Sequence, residues 1–161
     1  KEYNKLYIDI SYLSELNEVN VDLVNVVVGA NVQYNKVINR LKATANDKLS
    51  NIAEHLYHIA GQSIRNVGGL GGALSLNKHK KLHADAATCL MACGAKLRVV
   101  KITKDDISSI VSMNLEEYIN YSKKKKKLLI IDISIPFGTT NEYFNSFRLS
   151  RRKVNDSVFS K

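Results

Sequence analysis

The spacing of apolar positions changes several times along the chain, and each change marks an element. Leu6–Ile10 (L-Y-I-D-I) alternates and is rich in β-formers, whereas Val24–Ala30 (V-N-V-V-V-G-A) is an apolar run ending at Gly29; both predict strands, the second buried. Helical spacing follows. Val32–Ala43 places Val37, Ile38 and Leu41 on one face, and Asp47–Ala60 places Ile52, Leu56 and Ile59 on another. Asn46 stands where a cap would open the second of these helices, and Gly61 where a glycine would stop it. Asp85–Ala92 then reads as a helix, Lys96–Thr103 as a strand, Leu115–Tyr121 as a short helix and Leu128–Ile135 as a strand closed by Pro136. Glu142–Leu149 reads as the next strand, and Thr139–Asn141 is where a second unit would begin.

Composition narrows the class without deciding it. A chain of 161 residues, 45% hydrophobic, has the size and apolar content of one soluble globular domain. No apolar run approaches the roughly 20 residues needed to cross a membrane. Cys89 and Cys93 sit four apart on one face of the helix opened by Asp85, where they read as small apolar residues rather than a redox pair, and the cytosol is the expected compartment. Two cysteines cannot assemble an iron–sulfur cluster or a zinc site here. The chain begins at Lys1 without Met and ends at Lys161 just after a strand and a basic turn have started, so it is read as a fragment truncated at both ends.

The net charge of +9 raises nucleic acid as a partner class. Its densest part, Lys123–Lys127, leads directly into L-L-I-I-D-I-S-I, and its plainer reading is a solvated strand edge guarded by lysines. No recognised nucleic-acid motif accompanies it, and only 7% of residues are aromatic, so stacking surface is scarce.

The chemistry concentrates between Ser63 and Asp85. Gly68, Gly69, Gly71 and Gly72 bring four of the eight glycines into five residues, a loop able to take φ > 0, to let a ligand reach the backbone and to aim N–H groups at a phosphate. A tight turn between packed elements is the alternative. The dinucleotide fingerprint fails because Leu74 stands where its third glycine belongs, and the P-loop fails because Gly72 is followed by Ala73 and Leu74. His79 and His83 are spaced i, i+4, but no third metal ligand accompanies them and N-K-H-K-K reads as a loop. His55 and His58, one turn apart on a helix, read as partly exposed.

The run I-A-G-Q-S-I-R-N-V-G-G-L-G-G-A (Ile59–Ala73), followed by H-A-D (His83–Asp85) and C-G-A-K-L-R-V-V (Cys93–Val100), resembles the FAD-binding domain of the molybdo-flavoenzymes, the xanthine dehydrogenase and aldehyde oxidase family. Leu6–Asn17, Ile133–Pro136 and Glu142–Arg152 extend the likeness over almost the whole chain. The long stretch between Gly72 and Asp85 is similar to the loop of arthropod-type aldehyde oxidases.

The resemblance implies an α+β fold of the PCMH/CO-dehydrogenase flavoprotein type, a mixed sheet with flanking helices. Residues 1–138 would form the FAD-binding domain and 139–161 the start of the flavoprotein C-terminal subdomain. It implies FAD as cofactor, with molybdopterin and two 2Fe-2S clusters held by other domains of the parent enzyme, which as a homodimer would pass electrons through FAD to O2 or NAD+. Cofactor contacts would fall on Ile59, Gly69, Leu70, Gly71, Gly72, Ala73, Asp85, Ile130 and Arg148. A cation such as Arg148 would stabilise negative charge, and a carboxylate such as Asp85 would accept hydrogen bonds from cofactor hydroxyls or ring N–H groups.

Asp85 as a helix cap and Arg148 as a surface strand residue stay open beside these roles, and Ile59 and Ile130 are core residues on either view. Ala73 replaces the asparagine or other polar residue usual in the family, removing one hydrogen bond worth about 1 kcal/mol, or about tenfold in affinity. The family's first FAD loop, a G-N-T-type segment, would lie upstream of Leu6, so the fragment alone is expected to bind FAD poorly. A cofactor-less basic interaction module that retains the fold is the alternative function.

Overall fold

The computed structural model describes residues 9–80, 84–102, 107–122 and 127–147. In chain order the elements are α1 (Ser14–Asn17), β1 (Val19–Val21), β2 (Asn25–Gly29), α2 (Tyr34–Lys42), α3 (Asp47–Tyr57), α4 (Gln62–Arg65), α5 (Leu70–Lys80), α6 (Asp85–Ala92), β3 (Lys96–Ile102), β4 (Ile107–Asn114), α7 (Leu115–Asn120) and β5 (Lys127–Pro136). The strands form one sheet in the order β1-β2-β5-β3-β4. The fold is α+β, as expected, but the sheet expected to be mixed is antiparallel at every pairing among the described residues. The physical reason lies in the connections. β1–β2 and β3–β4 are hairpins, and β5 enters the middle of the sheet opposite in direction to both neighbours.

The core lies between one face of the sheet and the helices. Val26 and Val28 of β2, Leu97 and Val99 of β3, and Ile130, Ile133 and Ile135 of β5 belong to one buried cluster with Leu41, Leu49, Ile52, Leu56, Leu70, Leu74 and Leu90 from the helices. Strict alternation from Ile133 and Ile135 would turn Ile131 inward. A bulge prevents this: Arg98 pairs with Asp132 and Val99 with Ile130, so Ile131 is the extra residue and Ile130 takes the core side.

Several expectations are corrected. Asp9 and Ile10, the described part of the strand expected over Leu6–Ile10, are not in a strand, and the edge of the sheet is β1 instead. The cap is as expected, with the Asn46 side chain accepting from the Leu49 N–H at 3.2 Å, but Gly61 does not stop α3. That helix ends at Tyr57; Ala60 takes the left-handed conformation (φ 53) and Gly61 opens α4 at φ −81. Asn77–Lys80, expected as part of a loop, continues α5, because nothing after Gly72 breaks a helix and Lys78 is tied down by its side chain. Residues 142–147 are not a strand. The Lys48 ammonium meets the Glu142 carboxylate at 2.5 Å, and the Asn51 amide donates to the Phe144 carbonyl at 2.8 Å, so this segment is held on α3 rather than in the sheet. Leu6, His83, Lys123–Lys126 and Arg148–Arg152 lie outside the described residues.

The cysteines behave as the sequence suggests. Both are buried and free, and burial pushes the Cys89 thiol up to about 12 and the Cys93 thiol to about 11. Among the described residues no helix is long and apolar enough to cross a membrane.

Candidate functional site

The glycine loop is built by pairing rather than by unusual dihedrals. None of its four glycines has positive φ; among the described glycines only Gly94 does. Gly69 forms a bridge with Gln33: the Tyr34 N–H donates to the Gly68 carbonyl at 3.2 Å, and the Leu70 N–H to the Val32 carbonyl at 3.1 Å. The Gly71 N–H donates to the Ala30 carbonyl at 2.8 Å, and the Ala73 N–H to the Gly69 carbonyl at 3.2 Å. The loop is therefore strapped to the segment after β2, with most of its donors committed to protein.

The glycines divide by what they face. A Cβ on Gly71 would lie 2.7 Å from both the Cβ and the carbonyl oxygen of Ala30, so the missing side chain admits protein backbone. A Cβ on Gly69 would lie 3.3 Å from the Ala30 carbonyl oxygen and the Asn31 Cα. Gly72 is different: it is exposed, a Cβ there meets nothing within 4 Å, and its N–H has no backbone acceptor among the described residues. The first turn of α5 thus offers one bare backbone position to a ligand. Behind it the packing is tight, since a Cβ on Gly29 would come within 2.5 Å of the Leu16 backbone.

Asp85 comes to the same neighbourhood through Tyr34. The Tyr34 ring lies 3.8 Å from the position a Gly68 Cβ would take, and its phenol is pushed up to about 12, first by burial and then by the charge of Asp85. Asp85 is the first residue of α6 and half-buried; Ala84 holds the cap position, so Asp85 is not the helix cap. Its carboxylate stands at the positive end of the helix dipole. The Asp85 carbonyl is bonded to His55 Nε2 at 3.1 Å, which ties α6 to α3. His58 pairs instead with Glu54 at 3.1 Å on the surface.

Ile59 is half-buried at the edge of the core, and Ala73 lies in a similar position on α5. Leu70 is fully buried and Ile130 is 4% exposed, so both side chains face the core. Arg148 lies outside the described residues. Tyr34, at the start of α2, thus lies beside the glycine loop and feels the Asp85 charge, whereas Ile59 sits at the edge of the core and Ile130 lies in the core on β5. Sequence reasoning assigned no role to Tyr34, Ala30 or Arg65. Arg65 was visible only as a letter in Q-S-I-R-N, and its burial is a tertiary property.

A family model described as the FAD binding domain in molybdopterin dehydrogenase matches residues 1–138. The chain belongs to this family. The chain is 31% identical over 161 residues to an indole-3-acetaldehyde oxidase of Arabidopsis thaliana, a match covering 94% of this chain and 12% of that protein. It is 27% identical over 161 residues to the abscisic-aldehyde oxidase of the same plant, with the same coverage. The chain thus spans about one eighth of the length of these curated relatives. Its fold is shared with quinoline 2-oxidoreductase from Pseudomonas putida 86 (TM-score 0.63, 21% identity, 81% of this chain and 43% of that one). It is also shared with carbon monoxide dehydrogenase from Hydrogenophaga pseudoflava (TM-score 0.62, 19% identity, 82% and 44%). The family's cofactor is FAD, and the bare Gly72 backbone, with Tyr34 beside the loop under the charge of Asp85, fits a ligand carrying phosphates and hydroxyls.

Proposed function

We propose that these residues are the FAD-holding segment of a molybdenum, iron–sulfur and FAD hydroxylase of the aldehyde oxidase and xanthine dehydrogenase kind. Such an enzyme oxidises its substrate at a molybdopterin centre and passes electrons through two 2Fe-2S clusters, and FAD supplies the carrier from which O2 or NAD+ takes them. The observation that carries the reading is the first turn of α5, where Gly71 is locked on Ala30 and Gly72 is left bare.

In this reading Gly72 lets the cofactor reach the backbone, while Gly69, Leu70 and Gly71 hold that turn in place. Asp85 accepts hydrogen bonds from cofactor hydroxyls or ring N–H groups, and Ile59 supplies an apolar wall. Ala73 adds no polar contact. Ile130 shapes the floor from the core, and Arg148 brings a cation to the cofactor. Residues 1–138 form the flavin-binding unit and 139–161 begin the next subdomain. The parent enzyme is a cytoplasmic homodimer, and neither a membrane nor nucleic acid takes part. Family membership favours this reading over a cofactor-less basic module.

The test is made on the full-length protein: released flavin is quantified, and FAD is titrated by fluorescence quenching. The reading expects FAD at one per chain, and a substantial loss of affinity in Asp85→Ala with little change in melting temperature. A full-length protein that neither carries nor binds FAD overturns it.

A further inference from the structure

Arg65 closes α4 with only 7% of its surface exposed, yet its bonded partners are all neutral. Its Nε donates to Asn35 Oδ1 at 3.1 Å, and its Nη1 donates to the carbonyls of Ile59 at 3.1 Å and Ala60 at 2.5 Å. The guanidinium also lies over the Tyr57 ring, 4.8 Å from its centroid. A buried cation spent on main-chain carbonyls is costly unless those carbonyls must be held. They belong to the turn in which Ala60 is left-handed (φ 53), a conformation its Cβ disfavours and the surroundings must impose.

The same guanidinium reaches the glycine loop through short links. Asn35, fixed by Arg65, donates through its amide to Asn66 Oδ1. The Gly68 N–H donates to the Ile64 carbonyl at 2.8 Å, one residue before Arg65, and the Gly68 carbonyl accepts from Tyr34, one residue before Asn35. Arg65 therefore joins the end of α3, the first turn of α2 and the entrance to the loop.

We propose that Arg65 is a positioning residue of the flavin site, its guanidinium clamping the Ile59–Ala60 turn and Asn35 so that Ile59 and the glycine loop hold one fixed spacing for the cofactor. The proposal rests on the flavin reading above. A fork with several donors is needed because three acceptors on two elements converge on it, and a lysine ammonium cannot match that plane.

The test uses the full-length protein with FAD as the probe, reading FAD affinity, the visible circular dichroism of bound flavin and the melting temperature. Arg65→Met is expected to weaken FAD binding about tenfold or more and to alter the flavin dichroism, with Arg65→Lys restoring little of either. Asn35→Ala, which removes one anchor at a half-buried position, moves both readouts the same way by less and keeps the proposal testable if Arg65→Met does not fold. Ile135→Val, a core change on β5 away from this turn, lowers melting temperature while leaving affinity and dichroism alone. Variants at Arg65 and Asn35 that lose melting temperature but keep wild-type affinity and dichroism overturn the proposal. Absence of FAD binding in the wild-type protein overturns the flavin reading itself, and the role of Arg65 with it.

Discussion

Gly71 and Ala30 are in backbone contact: the Gly71 N–H donates to the Ala30 carbonyl at 2.8 Å, and a Cβ on Gly71 would fall 2.7 Å from that same oxygen. The two glycines that end the loop thus differ: Gly71 packs against protein, whereas a Cβ on Gly72 would stand in open space.

That division predicts a separation of effects. Gly71→Ala forces the α5 turn away from the segment after β2, and overpacking of this kind costs about 1–3 kcal/mol. Gly72→Ala meets no protein atom and is expected to leave melting temperature unchanged or slightly raised, while lowering FAD affinity in the full-length protein. Thermal denaturation beside FAD titration checks both. Equal destabilisation by the two variants would remove the distinction.

Alkali should unfold the protein through its buried acids. The folded thiols of Cys89 and Cys93, pushed up from 9.0 to about 12 and about 11, and the Tyr34 phenol, pushed up from 10.0 to about 12, stay protonated after the unfolded chain has lost those protons. Between these limits the unfolded state binds fewer protons than the folded one, so stability falls as pH rises. It is fully present below pH 9.0, the unfolded thiol value, and its loss is complete near pH 12. Urea titrations across this range measure the slope, and Cys89→Ala should flatten it. At pH 8 a thiol reagent is expected to label the unfolded chain far faster than the folded one.

Arg98 and Asp132 face each other across β3 and β5, with Arg98 Nε donating to Asp132 Oδ2 at 2.8 Å and to Oδ1 at 3.0 Å. The exposures are unequal: the Arg98 side chain is 54% exposed and that of Asp132 is 4%. Removing the arginine strands a buried carboxylate, whereas removing the aspartate leaves a guanidinium that water can reach. Arg98→Ala should therefore destabilise by about 2 kcal/mol and Asp132→Ala by less, after allowance for solvent screening at Arg98. Chemical denaturation of the pair decides the order, and a larger loss for Asp132→Ala would contradict it.

Lys78 is 7% exposed, and its ammonium donates to the carbonyls of Tyr118, Ile119 and Tyr121 at the end of α7. Lys78→Met keeps the apolar stem but leaves these carbonyls without their donor, at a cost of about 1–3 kcal/mol. Hydrogen exchange should rise first in α7, and protection unchanged there would show that water replaces the ammonium without loss.

The types of β2, α2, α3, α6, β3, α7 and β5 were legible because they follow local rules. Asn46 caps α3, Cys89 and Cys93 are buried thiols, and Val26 and Val28 of β2 lie in the core, each from a short-range pattern. The extent of α5 was not legible, because Lys78 is stabilised by acceptors some forty residues away. Ile131 and Ile130 exchange faces at a bulge, which only strand pairing creates. The candidate site divides in the same way. The glycine cluster and Asp85 stood out as residue types, but Tyr34 and Arg65 carry no local mark of the packing that makes them part of it.

By itself the amino-acid order determined the α+β class, most of the helices and strands, and the family likeness that points to FAD, since propensity, periodicity and motif spacing act over a few residues. Tertiary structure alone decided which glycine packs against protein and which stands open, that Ala60 and not Gly61 takes the left-handed turn, and that a buried arginine holds it. Those outcomes depend on backbone approach between segments far apart in sequence, where a single hydrogen bond or an absent Cβ chooses the arrangement.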